Sequence, residues 1–218
     1  MISIVICSRD VIVLAAVSRN VAETIGVPYE IIAIDNSKSQ YTIFQAYNRG
    51  IEQSKYEFLC FMHEDISFKT ANWGLLVYKL FDENQKLGLL GVAGSSYKTF
   101  IPSGWIAAYA EIAGYVNLLQ SFKDKREDLH SYANPKDEKL AKVISVDGVW
   151  FCTRKSIAAK VRFDEHTFKG FHCYDVDFSL TVGQQYDVAV TLEILINHFS
   201  EGSFDENWAA ETIKLHNK

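Results

Sequence analysis

The chain has no CxxC pair, no glycine-rich turn behind its first apolar run, no unbroken apolar stretch of membrane-span length, no basic field and no internal repeat. Each absence removes a class of function. Without paired cysteines at metal spacing, Cys7, Cys60, Cys152 and Cys173 read as reduced thiols packed among apolar neighbours. That argues against a zinc ribbon or a disulfide framework and for a cytoplasmic location. The opening Ile2-Ser-Ile-Val-Ile-Cys7 lacks the basic flank and cleavage signal of a secretory leader. With 22 Lys+Arg against 27 Asp+Glu the formal charge is −5, which supplies no attraction for nucleic acid. Pro102, Ser103, Glu111 and Asn117 interrupt residues 101–119, so integral membrane insertion is not expected. Cys7-Ser-Arg-Asp10 cannot admit a pyrophosphate as a glycine-rich turn does, which disfavours a dinucleotide-binding oxidoreductase.

What is present is an apolar content of 48% over 218 residues, enough to bury a substantial core and matched to one domain over 1–218. β-branched runs alternate with helical periodicity, which predicts a layered α/β sheet. Strands are expected at 2–7, 29–35, 56–62 and 87–92, with helices at 11–25, 41–53 and 73–84 between them. The apolar run 101–119 reads as a core hairpin or helix. Its surplus of Trp105, Ile106, Tyr109, Ile112, Tyr115 and Leu118 is suited to line a substrate groove, or to touch the inner face of a membrane if the acceptor is lipid-linked. Residues 121–142, dense in charge, read as a solvated segment. A strand is expected at 143–153, short helices at 154–160 and 175–184, a last strand at 188–196 and a closing helix at 205–216.

The most chemical stretch is Phe58-Leu-Cys-Phe-Met-His-Glu-Asp65, an apolar strand that stops on three polar side chains. Open α/β sheets hold their ligands at such carboxyl edges. A hard cation such as Mg²⁺ or Mn²⁺ takes carboxylate oxygens and shares its other positions with substrate phosphates, so one or two protein ligands suffice. Asp65 is the first choice of ligand. His198, which also follows an apolar strand, is the second. Read on its own, His63-Glu64-Asp65 fits a helix cap or solvated turn equally well.

The order of motifs resembles a GT-A-fold, family 2-like nucleotide-sugar glycosyltransferase. Ile2-Ser-Ile-Val-Ile-Cys7 is similar to the opening strand, and Ile31-Ile-Ala-Ile-Asp35-Asn-Ser37 to the second. Phe44-Gln-Ala-Tyr-Asn48-Arg-Gly50 resembles the helix before the metal strand, and His63-Glu64-Asp65 stands in the place of the DxD signature. Val146-Asp147-Gly148-Val-Trp150 is similar to the acceptor-side strand, Tyr174-Asp175-Val-Asp177 to the acidic helix start, and His198-Phe-Ser-Glu-Gly202 to the C-terminal His motif. The resemblance implies a three-layer α/β/α sandwich with a mostly parallel central sheet, its nucleotide half over 1–95 and its acceptor half over 96–218. It implies a sugar moved from a UDP- or GDP-sugar to a hydroxyl of a glycan or lipid-linked acceptor, with inversion and with Mn²⁺ or Mg²⁺.

Roles follow from the same likeness. Asp65 and His198 bind metal; Ser8, Arg9, Asp35, Asn48, Glu64 and Asp65 bind the donor; Asp175 is the base; Asp147 and Trp150 meet the acceptor, although burial statistics read Trp150 as core, and Asp177, on a different side of its helix, supports packing or binds the acceptor. Three positions depart from the pattern. His63 replaces the first Asp, Tyr174 a Glu, and Thr181 an Arg for which Arg154 or Lys169 is a candidate substitute. Two other readings stand beside this one: a catalytically silent module that binds the nucleotide sugar, and a glycoside hydrolase pairing Asp175 with Asp177 or Asp147.

Overall fold

The computed structural model describes residues 1–105, 111–124, 126–200, 202 and 204–218. Ile106, Tyr109 and Glu201, singled out in the sequence, lie outside the described residues. In chain order the elements begin with β1 (Ile2–Ser8), α1 (Val11–Thr24), β2 (Tyr29–Asp35), α2 (Ile43–Gln53), β3 (Phe58–Met62), β4 (Ile66–Phe68), α3 (Trp73–Glu83), β5 (Leu87–Gly91) and β6 (Ala93–Ser95). They continue with β7 (Gly114–Gln120), β8 (Leu129–Ala133), β9 (Leu140–Val143), β10 (Ser145–Val146), β11 (Trp150–Arg154), α4 (Lys155–Val161), α5 (Tyr174–Gly183), β12 (Asp187–Thr191), β13 (Ile196–His198) and α6 (Glu206–Asn217).

The large sheet has the order β2-β1-β3-β11-β5-β12-β9. β2, β1, β3, β5 and β12 run one way, while β11 and β9 run against them. The sheet is therefore mixed, with most strands sharing one direction. Side chains alternate across it as the two-residue period demands: Ile2, Ile4 and Ile6 enter one core, and Val5 enters the other. The first core is closed by Val17 and Val21 of α1 and by Trp73 and Val77 of α3. The second takes Phe44 and Tyr47 of α2, Ile157 of α4 and Phe178 of α5. Helices thus cover both faces, which explains why β3 and β5 are buried along their whole length. α2 crosses β1 so closely that a Cβ on Gly50 would run into the Val5 side chain.

A second, smaller sheet, β10-β6-β7-β13-β4 with β8 on β7, forms at one edge of the first. It corrects several expectations. Residues 121–142 contain β8 and part of β9, and their exposed faces made them read as loop. The strand expected over 143–153 is broken at Asp147-Gly148 into β10 and β11, one in each sheet, and that over 188–196 into β12 and β13 for the same reason. The reduced-thiol reading fails for one pair: Cys60 and Cys152 are direct partners across β3 and β11, with Cα atoms 4.1 Å apart, and form a disulfide. Cys7 and Cys173 are free. No helix among the described residues is long and apolar enough to cross a membrane.

Candidate active site

Strand direction brings the polar tips together. β1 and β3 end side by side at Ser8 and Met62, and β11 runs against β3 with Trp150 opposite Met62. The Asp147-Gly148 turn before β11 therefore reaches the edge that His63, Glu64 and Asp65 leave from. β4 and β13 pair with Ile66 opposite His198, and the Phe199 N–H donates to the Asp65 carbonyl at 3.0 Å. That register seats His198 beside Asp65 across 133 positions of sequence. α5 delivers Tyr174 to His63 and Asp175 to Gly148.

These groups line one cavity of about 1220 Å³. His63, Asp65 and His198 each offer one ligand atom, and the three atoms lie within 4.8 Å of one another. His63 Nδ1 is 3.8 Å and His198 Nε2 3.7 Å from Asp65 Oδ1. The Gln120 amide NH₂ donates to the carbonyls of Ser121, His198 and Ser200, which leaves its Oε1 as an acceptor for His198 Nδ1 at 3.3 Å. Nε2 of His198 then keeps its lone pair toward Asp65. Burial works to raise the Asp65 pKa, but the Ser200 hydroxyl and the two imidazoles hold it below the usual carboxylate value. Burial and the neighbouring His198 lower the pKa of His63, which favours the neutral ring that can act as a ligand. Two imidazoles and an ionised carboxylate form a donor set that fits a divalent cation.

Asp175 lines the same cavity. Its Oδ2 accepts the Gly148 N–H at 2.9 Å and its Oδ1 the Val176 N–H at 2.8 Å. Burial, reinforced by the negative charge of Asp147, pushes its pKa up to about 7. Asp147 Oδ1 is itself held by the Val149 N–H at 2.8 Å. Glu64 is turned away from the cation cluster. Its carboxylate accepts from Ser8 Oγ at 2.8 Å, from the Arg9 N–H at 3.0 Å and from the Asp10 N–H at 3.3 Å, and so fixes the loop between β1 and α1.

Arg9, Glu64, Asp65, Asp147, Asp175 and His198 meet in this cavity, and Ser8 supports it through Glu64. Four other expected site residues are placed elsewhere. Trp150 is fully buried, edge-on to Phe68 and Trp73, because its position on β11 points it into the core. Asn48 is used up by the Phe163 backbone, donating to its carbonyl and accepting its N–H, each at 2.9 Å. Asp177, two residues past Asp175, faces the far side of α5, where Lys218 covers it at 2.7 Å. Asp35 ends β2 next to Ser8 but its exposed carboxylate accepts from Ser37. Arg154 pairs with Glu57 at the opposite end of β3, and Lys169 bonds to the Glu165 carbonyl, so neither replaces the missing Arg. His172 faces Asp205 at 3.8 Å.

The sequence reading left His63 out of the ligand set, although its place on the strand end was the available signal. Lys123 and an apolar wall that includes Ile12, Ile101, Trp105, Phe171, Phe199, Phe204 and Trp208 also line the cavity. Of the expected groove residues, Tyr115 is buried in the second core and Leu118 packs against the first.

A search of the curated proteins gave no significant match. Among solved structures, GalNAc-T7 with UDP, GalNAc and Mn²⁺ superposes with a TM-score of 0.65 at 10% identity, over 92% of this chain and 44% of that one. TarS 1–349 of S. aureus superposes with a TM-score of 0.58 at 10% identity, over 91% and 60%. The chain thus spans about half the length of these proteins and shares their GT-A fold. The model of a glycosyltransferase-like family matches residues 3–216, and with it this chain belongs to that family of transferases.

Proposed function

We propose that the protein moves a sugar from a UDP- or GDP-sugar to a hydroxyl of a glycan or lipid-linked acceptor, with inversion at the anomeric carbon. The observation that carries this reading is one cavity holding a cation-competent cluster, His63, Asp65 and His198, and a separate carboxylate of raised pKa, Asp175. His63, Asp65 and His198 would hold a divalent ion, Mn²⁺ in preference to Mg²⁺, since imidazole suits transition ions and Mg²⁺ prefers oxygen. Bound there, the ion supplies positive charge to the diphosphate as it leaves. The Mn²⁺ and UDP of the GalNAc-T7 structure support the choice.

The chain's own groups divide the chemistry. The acceptor oxygen attacks the anomeric carbon as the bond to the diphosphate breaks, and its proton passes to Asp175. A carboxylate with a pKa near neutrality is strong enough to take that proton and still ionised often enough to be ready. Arg9 and Lys123 place further positive charge in the cavity for the leaving phosphates. The loop held by Glu64 is assigned to the donor, with Asp35 at its outer edge, and residues 1–95 and 96–218 to donor and acceptor halves. The apolar wall favours an acceptor with a hydrocarbon part, met at a membrane surface.

The test has two parts. UDP or GDP is expected to raise the melting temperature only when Mn²⁺ or Mg²⁺ is present, and equal shifts without metal would remove the cation site from the reading. Asp175→Asn is expected to keep that nucleotide shift and lose transfer. Unchanged turnover in this variant would reassign the base.

A further inference from the structure

Two residues that depart from the pattern this chain resembles meet each other in the structure. His63 Nε2 and the Tyr174 hydroxyl oxygen are 2.8 Å apart. The hydroxyl carries one proton, and it also lies 3.1 Å from the Gly148 carbonyl, which can only accept. With that proton on Gly148, the contact to His63 requires Nε2–H as the donor. A neutral imidazole protonated on Nε2 keeps its lone pair on Nδ1. Nδ1 is the nitrogen that faces Asp65.

We propose that Tyr174 is a positioning residue that holds His63 in the Nε2–H tautomer, so that Nδ1 joins Asp65 and His198 as the third donor to a divalent cation. The inference rests on the metal-assisted reading given above. A carboxylate at position 63 would need no such partner, because either oxygen presents lone pairs without regard to a neighbour. An imidazole in its place has one usable nitrogen, and only when the proton sits on the other. The two departures therefore answer one another.

The surroundings make the hydroxyl a fixed point. Tyr174 is buried, with its ring edge-on to Phe44 and Tyr47. It reaches the Gly148 carbonyl only because position 148 has no side chain, since a Cβ there would collide with the hydroxyl. The next residue, Asp175, grips the N–H of the same glycine. The His63 N–H donates to the Val149 carbonyl at 3.1 Å, so backbone and ring of His63 are both referred to this turn. Consecutive residues of α5 thereby set the cation cluster and the base from a single glycine.

The first experiment is ¹⁵N NMR of metal-free protein labelled in its histidine rings. His63 is expected to show protonated Nε2 and unprotonated Nδ1; the reverse pattern overturns the proposal. The second follows Mn²⁺ binding by electron paramagnetic resonance. Tyr174→Phe, with circular dichroism confirming the fold, is expected to bind Mn²⁺ about 10- to 100-fold more weakly. Unchanged affinity in the folded variant overturns the proposal, and if the variant does not fold, the wild-type tautomer decides alone. The third places Tyr174→Phe in a His63→Asp background, where the expected loss disappears because no tautomer is left to hold. An equal loss in both backgrounds would mean that Tyr174 only supports the fold. A wild-type protein that binds no Mn²⁺ defeats the metal-assisted reading instead, and the tautomer remains decided by the first spectrum.

Discussion

Removing the charge of Asp147 should move the pH dependence of transfer without touching the base itself. Asp175 holds its proton up to about 7, first because it is buried and then because Asp147 is a like charge beside it. If Asp175 is the base, kcat/KM rises with pH on a limb of unit slope centred there. One pH unit below the midpoint only about a tenth of the molecules carry the ionised base. Asp147→Asn leaves the burial and deletes the repulsion, and a shift of about one unit is a reasonable size for one neighbouring charge. At that same pH the ionised fraction then becomes about one half, so activity relative to the plateau rises about fivefold. Normalising each profile to its own plateau removes any change in acceptor affinity from the comparison. A midpoint that stays in place, or moves upward, refutes the electrostatic coupling of the two acids. Stability offers a second readout of known sign. Unfolded Asp175 titrates near 3.8 and folded Asp175 near 7, so between these values the unfolded chain binds fewer protons and stability falls as pH rises. Asp175→Asn should flatten that slope in chemical denaturation.

Two further outcomes test placements in the structure. Trp150→Phe shrinks a fully buried side chain that lies edge-on to the stacked Phe68 and Trp73, so it should cost about 1–3 kcal/mol in denaturant unfolding and leave the acceptor KM unchanged; a raised KM at full stability would return Trp150 to the site. Glu64→Gln keeps the size but gives up part of an acceptor shared by Ser8, Arg9 and Asp10, and a loss of about 1 kcal/mol predicts a donor KM about fivefold higher with little change in kcat. An unaltered donor KM would free that loop from the donor role.

Much of the frame was legible because it rests on local periodicity. The alternation of Ile2, Ile4 and Ile6 against Val5, and the Phe44, Tyr47 and Ile51 stripe of α2, each fix a face from sequence neighbours alone. The strand ends at Asp65 and His198 were legible for the same reason. The two-position offset of Asp177 from Asp175, which carries it to another side of α5, was legible as well. What the sequence left open was set by register. Of the two readings of Trp150, acceptor platform or core, the pleat of β11 selects the core. The pairing of Cys60 with Cys152 belongs to an antiparallel ladder between strands far apart in sequence. β8 was missed because a strand at the margin of a small sheet, exposed or half-exposed at every position, has the composition of a loop.

β6 and β7 pair with Ser95 opposite Gly114, so the chain leaves the small sheet at one point and re-enters it at the point directly across. Everything between those points is a cassette whose two ends sit side by side, the arrangement in which insertions and replacements are best tolerated. That cassette supplies Ile101 and Trp105 to the cavity, whereas His63, Asp65, Asp147, Asp175 and His198 come from outside it. Grafting a different segment between the same two anchor points would rewrite one wall of the chamber while the reacting groups stay where they are.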